Sequence, residues 1–579
     1  MMEKKIVGQI IPPYSTSRIK VVLNKDFVFS GEPILGRYLK VKFKRKGKDC
    51  IALLRVVDLQ TENRTLANAE MAQNATRVEG VKERVQKNDI LTVDCEVLTA
   101  FEKDGNLYRR VNLDTIINSL EDVEFVNENL INEIIDQIKK DVFYLGRAIG
   151  ENFDVPLVFQ PFYSLNEAYH ILIAGQTGSG KSTEAKKILT AYAKSDKQKE
   201  TEYKQGNDLY RPMNFLILDP VGEFAKSFEG RDTGYFALDL GNIWRRLGKR
   251  EPEIYGIDQI ALDRWDMLEE LIKKEGLLKI IAIKGSENQD IAIDILIRYL
   301  RTSRTSLTSL KRITARDIFD KVINPNLDRI YTQQNKREEI MNLMADPKIE
   351  LEFQEKWEEI ADKFDISTGK RRIDSIVRSL ISSSDRTIVI NLSQLDWENP
   401  LKFMIIYSIF STLIRSGEDA YRNNEILNTM VVIDEAHRVA PAKLASDAEE
   451  YKKKTREKVV TAFRETRKLG IGWMVISTRI SNLDTEIWEH ARVKLFGFGL
   501  STGKDADLLK ELYGKNVLEI YKQKIGDPYD LMGERVHKFM IDGPVNVISK
   551  KIPEFYEAYN RVDEFIEKNG LDILSGFTS

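Results

Sequence analysis

His170-Ile171-Leu172-Ile173-Ala174-Gly175-Gln176-Thr177-Gly178-Ser179-Gly180-Lys181-Ser182 is an apolar, β-rich run that breaks into a glycine-rich turn ending in Lys-Ser. A helix-forming run, Thr183 to Ala193, follows. Strand, G-x-x-x-x-G-K-S turn and helix, in that order, are the context a phosphate-binding loop requires. Gly175, Gly178 and Gly180 let the backbone through Gln176, Thr177 and Ser179 turn its N–H groups inward. Those donors and the positive end of the helix opening at Ser182 and Thr183 cradle phosphate oxygens. Lys181 reaches the β- and γ-phosphates, and Ser182 offers a hydroxyl to Mg²⁺. A plain glycine turn between a strand and a helix would not need all four fixed positions. The pattern therefore predicts an ATP and Mg²⁺ site running from Gly175 to Thr183.

A second apolar strand, Thr429 to Ile433, ends in Asp434-Glu435. Acids held rigidly beside bound phosphates suit two tasks. Asp434 holds the Mg²⁺ shell through Ser182 or water, and Glu435 orients the attacking water, because phosphoryl transfer is mainly positioning and charge stabilisation. Further downstream, the arginines of Arg464 to Gly470 and Arg479 either offset charge in the transition state or are surface salt-bridge residues. Ser477-Thr478 closes another apolar strand, where a polar group senses the γ-phosphate. Asn214 to Asp219 is a third such strand, followed by Pro220-Val221-Gly222-Glu223. Asp219 and Glu223 have two readings: they face the nucleotide or a neighbouring subunit, or they serve turn and helix-capping chemistry. His437, His490 and His537 lack metal-ligand spacing and read as structural.

At 579 residues the chain has room for two to four domains, and 42% apolar with 31% charged residues reads as soluble and globular. No apolar run approaches the roughly 20 residues of a membrane span, and the N-terminus does not resemble a signal peptide. The expected location is the cytoplasm. Cys50 and Cys95 build no disulfide framework and read as buried thiols. A formal net charge of −2 excludes a protein that coats nucleic acid, so any DNA contact must be local.

Residues 1–110 carry short β-rich runs separated by Gly31, Gly36, Gly47 and Gly105, the pattern of a small barrel or sandwich. Residues 111–165 form a connector, with helical spacing from Glu121 to Ile149 and a short strand at Leu157 to Phe159. The first part of an ATPase core spans 166–243, in which Lys194 to Asp208 reads as a surface loop. A charged helical insertion occupies 244–382. Its basic cluster, Arg298, Arg301, Arg304, Lys311 and Arg312, is either a solvated face or a DNA or subunit contact. The core resumes over 383–545, where strands alternating with helices imply a parallel sheet. The extension 546–579 reads as a terminal helix from about Phe555.

The ordered set His170–Ser182, Leu218–Phe224, Val432–His437, Arg464–Gly470 and Ile476–Arg479 resembles the HerA branch of the HerA–FtsK ATPase superfamily. The β-rich opening is similar to that family's N-terminal barrel. The resemblance implies an α/β, RecA-like P-loop NTPase core with a parallel sheet, a helical insertion and a small N-terminal β-barrel. It implies a homohexamer that translocates double-stranded DNA through a central channel. The partner would be a nuclease such as NurA, or an antiviral effector. By motif position Arg467 matches the family's trans-acting arginine. Thr478 stands where relatives commonly carry glutamine, and threonine is shorter and lacks the amide donor. The stretch 438–458, with Lys452-Lys453-Lys454 and Arg456, is either a pore or interface loop or a solvated charged helix. One rival reading of the whole chain is a nucleotide-regulated scaffold that assembles a defence effector with little processive motion; a second is a conjugation or secretion motor, against which the lack of a membrane segment counts.

Overall fold

The structure, a computed structural model, describes residues 6–63, 89–162, 168–206, 210–303, 305–446, 448–529, 535–549 and 552–571. Its first part is a barrel. Strands β1 (Ile6–Ile11), β2 (Arg18–Leu23), β3 (Tyr38–Arg45), β4 (Lys48–Glu62), β5 (Ile90–Asp104), β6 (Leu107–Val111) and β7 (Asp122–Phe125) pair antiparallel. The order β2-β1-β7-β3-β4-β5 closes through β2–β5 pairing, and β6 hangs on β5. Closure removes the open edge that an isolated sheet would expose. Alternation supplies the interior: Ile19, Val21 and Leu23 point inward and meet Val41, Leu54 and Val93. Both cysteines are buried free thiols, and burial pushes Cys95 well above its ordinary pKa.

The helical reading of Glu121–Ile149 holds only in its middle. Asn127 caps a helix over Glu128–Ile135 by accepting from Leu130 N–H, and a 3₁₀ turn continues to Asp141. At one end β7 closes the barrel. At the other, β8 (Val142–Ala148) and β9 (Asp154–Val158) join the large sheet. Helical spacing is genuine at Leu130, Ile131, Ile134 and Ile135, all buried, but the aromatic and β-branched residues after Asp141 favour a pleated, two-sided burial.

The large sheet adds β10 (Ile171–Ala174), β11 (Asn214–Asp219), β12 (Glu253–Tyr255), β15 (Thr387–Asn391), β16 (Thr429–Ile433), β17 (Ile471–Ser477), β18 (Val493–Phe496), β19 (Lys538–Asp542) and β20 (Glu554–Ala558). A separate two-stranded ladder, β13 (Ile260–Ala261) with β14 (Arg371–Arg372), lies in the insertion. The large sheet runs β12-β15-β11-β16-β17-β10-β18-β19-β20-β8-β9. From β12 to β18 neighbours are parallel, as the alternating pattern requires. The remaining four strands are antiparallel, so the sheet is mixed. Burial on both faces follows from the uninterrupted apolar runs. Leu216, Leu218, Val431 and Ile433 enter one core, and Phe215, Ile217, Met430 and Val432 the other.

Three further expectations are corrected. Lys194 to Gly206 is not a loop but the continuation of one helix, Lys181–Gly206. Lys197–Glu200, Lys199–Glu202 and Lys204–Glu200 ion pairs at helical spacing support it. Residues 207–208 of that expected loop lie outside the described residues. Phe555 lies in β20, not in a terminal helix, which begins at Val562. The insertion is mainly helical, yet it sends β12 back to the sheet edge. Its basic cluster is largely engaged: Arg298 pairs with Asp294, Arg301 with Glu269, and Lys311 with Asp362 and Asp365. Arg304 lies outside the described residues.

Candidate nucleotide site at the carboxyl edge of the parallel strands

Strand β10 lies between β17 and β18, so its carboxyl end is held on both sides. The turn leaving it is pinned there: Gly175 N–H donates to Ser477 O at 3.2 Å, and Gln176 N–H to Phe498 O at 2.8 Å. Gly178 and Gly180 have φ of 84° and 88°, the left-handed region that favours glycine. Built side chains there would also meet Tyr529 and His537 at 2.8 and 2.9 Å. The helix then opens at Lys181, with its free N–H groups at the turn.

Across the turn lies β16, two strands away from β10 in the sheet, carrying Asp434 and Glu435 just beyond its end. The loop residues Thr177, Gly178, Gly180, Lys181, Ser182 and Thr183 face Glu223, Asp434 and Glu435 across one cleft of about 540 Å³. That is within the roughly 300–1,000 Å³ of small-molecule sites. Topology alone joins residues some 250 positions apart.

The electrostatics are those of an acid cluster around one amine. Asp434 is 3% exposed. Burial, then the like charges of Glu223 and Glu435, raise its carboxyl to about 7. Burial pushes the Lys181 ammonium below its ordinary value, against the pull of Glu435, Asp434 and Glu223. Lys181 Nζ donates to Gln176 O at 3.0 Å, folded back along its own loop. Among the described residues no cage of three carboxylate, histidine or cysteine ligands forms. Ser182 and Asp434 instead offer a hydroxyl and one buried carboxylate. That sparse donor set fits Mg²⁺, which keeps several waters and takes phosphate oxygens.

The two readings of Asp219 and Glu223 separate. The Asp219 carboxylate accepts from Gly222, Glu223 and Ala225 N–H at 2.7, 3.1 and 2.8 Å. It is buried turn and capping chemistry. Glu223 lines the cleft. Thr478 follows the last residue of β17, beside Ala174, at the same edge. Arg467 does not join them. It sits in the 3₁₀ turn Thr466–Leu469 that precedes β17. The seven residues of β17 therefore separate it from the loop by about 20 Å. In 438–458, the charged stretch ends in a helix over Glu450–Glu465. Arg456 pairs with Asp484 and Lys454 with Glu450.

Sequence reading missed several residues of the site. His437 lies 3.5 Å from Glu435. His537 Nε2 lies 3.1 Å from Gly178 O; since a carbonyl only accepts, that nitrogen carries the proton. Burial, helped by Arg535, lowers the His537 pKa to about 4. Tyr235, Arg535 and the Lys186–Asp232 pair complete the far wall. No local motif marks them, because they reach the loop from distant turns.

Residues 143–414 match the family model described as Helicase HerA, central domain. That segment is just under half of the chain, and the HerA central domain is what it is similar to. The chain is an ATPase built on a P-loop fold. The matched segment holds the phosphate loop, Asp219 and the insertion, and the fold brings Asp434 and Glu435 to it from outside. Among solved structures, VirB4 of Thermoanaerobacter pseudethanolicus aligns with 72% of this chain and 96% of its own at 13% identity, TM-score 0.34. The genome packaging NTPase B204 of Sulfolobus turreted icosahedral virus 2, in complex with AMPPCP, covers 68% and 98% at 8% identity, TM-score 0.25. The pCW3 conjugation coupling protein TcpA, in monomer form with ATPgS, covers 93% and 92% at 13% identity, TM-score 0.26. No curated protein matches the chain. Among the described residues no helix of this chain is long and apolar enough to cross a membrane.

Proposed function

We propose that this HerA-type chain is an Mg²⁺-dependent ATPase that assembles as a homohexamer and drives double-stranded DNA. It would work with a partner nuclease or another defence effector. The barrel, the helical insertion and the ATPase core would be its separate working parts. One observation carries the assembly reading. The loop and the twin acids share a cleft, whereas Arg467 stands at the opposite edge of the sheet. An arginine so placed is too far to serve its own site, which supports reading it as a residue that serves another copy's. Within the cleft, the Gly175–Thr183 loop holds phosphates and Lys181 offsets their charge. Ser182 and Asp434 would hold Mg²⁺, which supplies charge neutralisation between phosphate oxygens. Glu435 orients the attacking water, and Thr478 contacts the γ-phosphate end.

The test is ATP turnover by the full chain with and without duplex DNA, together with displacement of a protein roadblock from that duplex. DNA-stimulated turnover with displacement is expected. Turnover indifferent to DNA, with no displacement, would overturn the motor reading in favour of a nucleotide-regulated scaffold.

A further inference from the structure

The phosphate end of the cleft accounts for only part of its lining. Beyond Thr183 the cleft continues past Lys186 to a wall formed by Asp232–Phe236 on one side and Arg535 and His537 on the other. Tyr235 is half exposed there, at 50%, yet it is not loose. Its hydroxyl donates to Arg535 O at 3.2 Å. The Arg535 guanidinium lies over its ring, 4.9 Å from the centre. His537 meets the ring edge-on at a centroid separation of 6.2 Å. Arg535 is itself fixed, stacked 4.2 Å over Tyr529 and donating to that hydroxyl at 2.6 Å. Tyr529 in turn lies against Gly178 of the phosphate loop.

An aromatic ring held on three sides but open to a cleft is a prepared stacking surface. Its order is already imposed by neighbours, so a flat ligand loses less freedom in meeting it. A guanidinium beside the ring adds a cationic, planar partner. If the triphosphate lies at Lys181 and Ser182, this wall, which adjoins Gly178 and Gly180, is left in the same cleft for the nucleoside.

We propose that Tyr235 is the residue on which the base of the bound nucleotide stacks, with Arg535 as its positioning residue. This rests on the reading of the cleft as a nucleotide site. The contact is sequence-distant by construction: Tyr235 precedes the insertion and Arg535 follows the last helix of the core. Base stacking would therefore tie the segment after that helix to the phosphate loop.

The experiment is calorimetric binding of MgATP, and separately of magnesium tripolyphosphate, to the full chain and to Tyr235→Ala and Tyr235→Phe. Tyr235→Ala should raise the Kd for MgATP by about 10-fold, the size of one lost base–aromatic stack, and leave tripolyphosphate binding unchanged. Tyr235→Phe, which keeps the ring, should restore MgATP affinity. Unchanged MgATP affinity in Tyr235→Ala would overturn the stacking assignment, as would equal weakening of both ligands. A wild-type chain that binds neither ligand would instead overturn the nucleotide reading beneath it.

Discussion

The Glu435 carboxylate lies 3.5 Å from Nε2 of His437, two residues further along the chain. Glu435 adopts φ of 51°, left-handed for a non-glycine residue, which turns the chain sharply at the end of β16 and sets the acid in the cleft. Burial keeps the His437 pKa below its ordinary value, so near neutral pH its ring is neutral. Glu435→Gln preserves shape and removes the charge proposed to polarise the attacking water. ATP turnover should fall by about 100-fold or more while nucleotide binding persists. Single-turnover hydrolysis alongside equilibrium binding checks both halves.

The place of Arg467 before β17, away from the loop, predicts complementation. Arg467→Ala alone should lower turnover by about 10³-fold, and Lys181→Ala should abolish nucleotide binding in its own subunit. Co-assembled, the Lys181→Ala subunit still carries Arg467 and the Arg467→Ala subunit still carries a whole loop. Partial recovery of activity on mixing is expected; mixtures no better than either variant alone would place Arg467 outside a shared site.

Asp434 predicts a pH signature in the nucleotide-free protein with chelator present. Its folded-state pKa, about 7, lies above the ordinary carboxylate value. The folded state therefore binds a proton that the unfolded state has released, and stability falls as pH rises from about 4 through 7. Asp434→Asn removes that cost and keeps an oxygen for the Glu435 N–H, which the Asp434 carboxylate accepts at 2.9 Å. The stabilisation by asparagine should grow by about 2 kcal/mol between pH 5 and pH 8, measured by denaturant unfolding.

Asp219 and Glu223 differ by four positions and should differ in kind. Asp219→Ala strands three backbone N–H groups, those of Gly222 and Ala225 buried, and should cost about 2 kcal/mol of stability. Glu223→Ala removes a cleft-lining acid and should leave the unfolding midpoint nearly unchanged while altering nucleotide binding. Thermal unfolding of both variants separates them.

The local code of this chain carries its phosphate loop, its apolar strands and the acids at their ends. Each rests on neighbours in sequence: glycines where the backbone must turn, β-branched runs where both faces are buried, and a helix start directly after Lys181. The same locality explains the errors. Lys194 to Asp208 reads as a loop because its polarity conceals ion pairs at helical spacing, and Phe555 reads as helical because a five-residue strand, here paired between β19 and β8, is too short to show a period of its own. Pairing order belongs to the whole molecule. Only when β16, β17, β10 and β18 lie side by side does Glu435 face Lys181, does Arg467 fall on the far edge, and do Tyr235, Arg535 and His537 line one cleft with Gly178. Those contacts span hundreds of residues, and no periodicity records them, because they follow from which strand hydrogen-bonds to which.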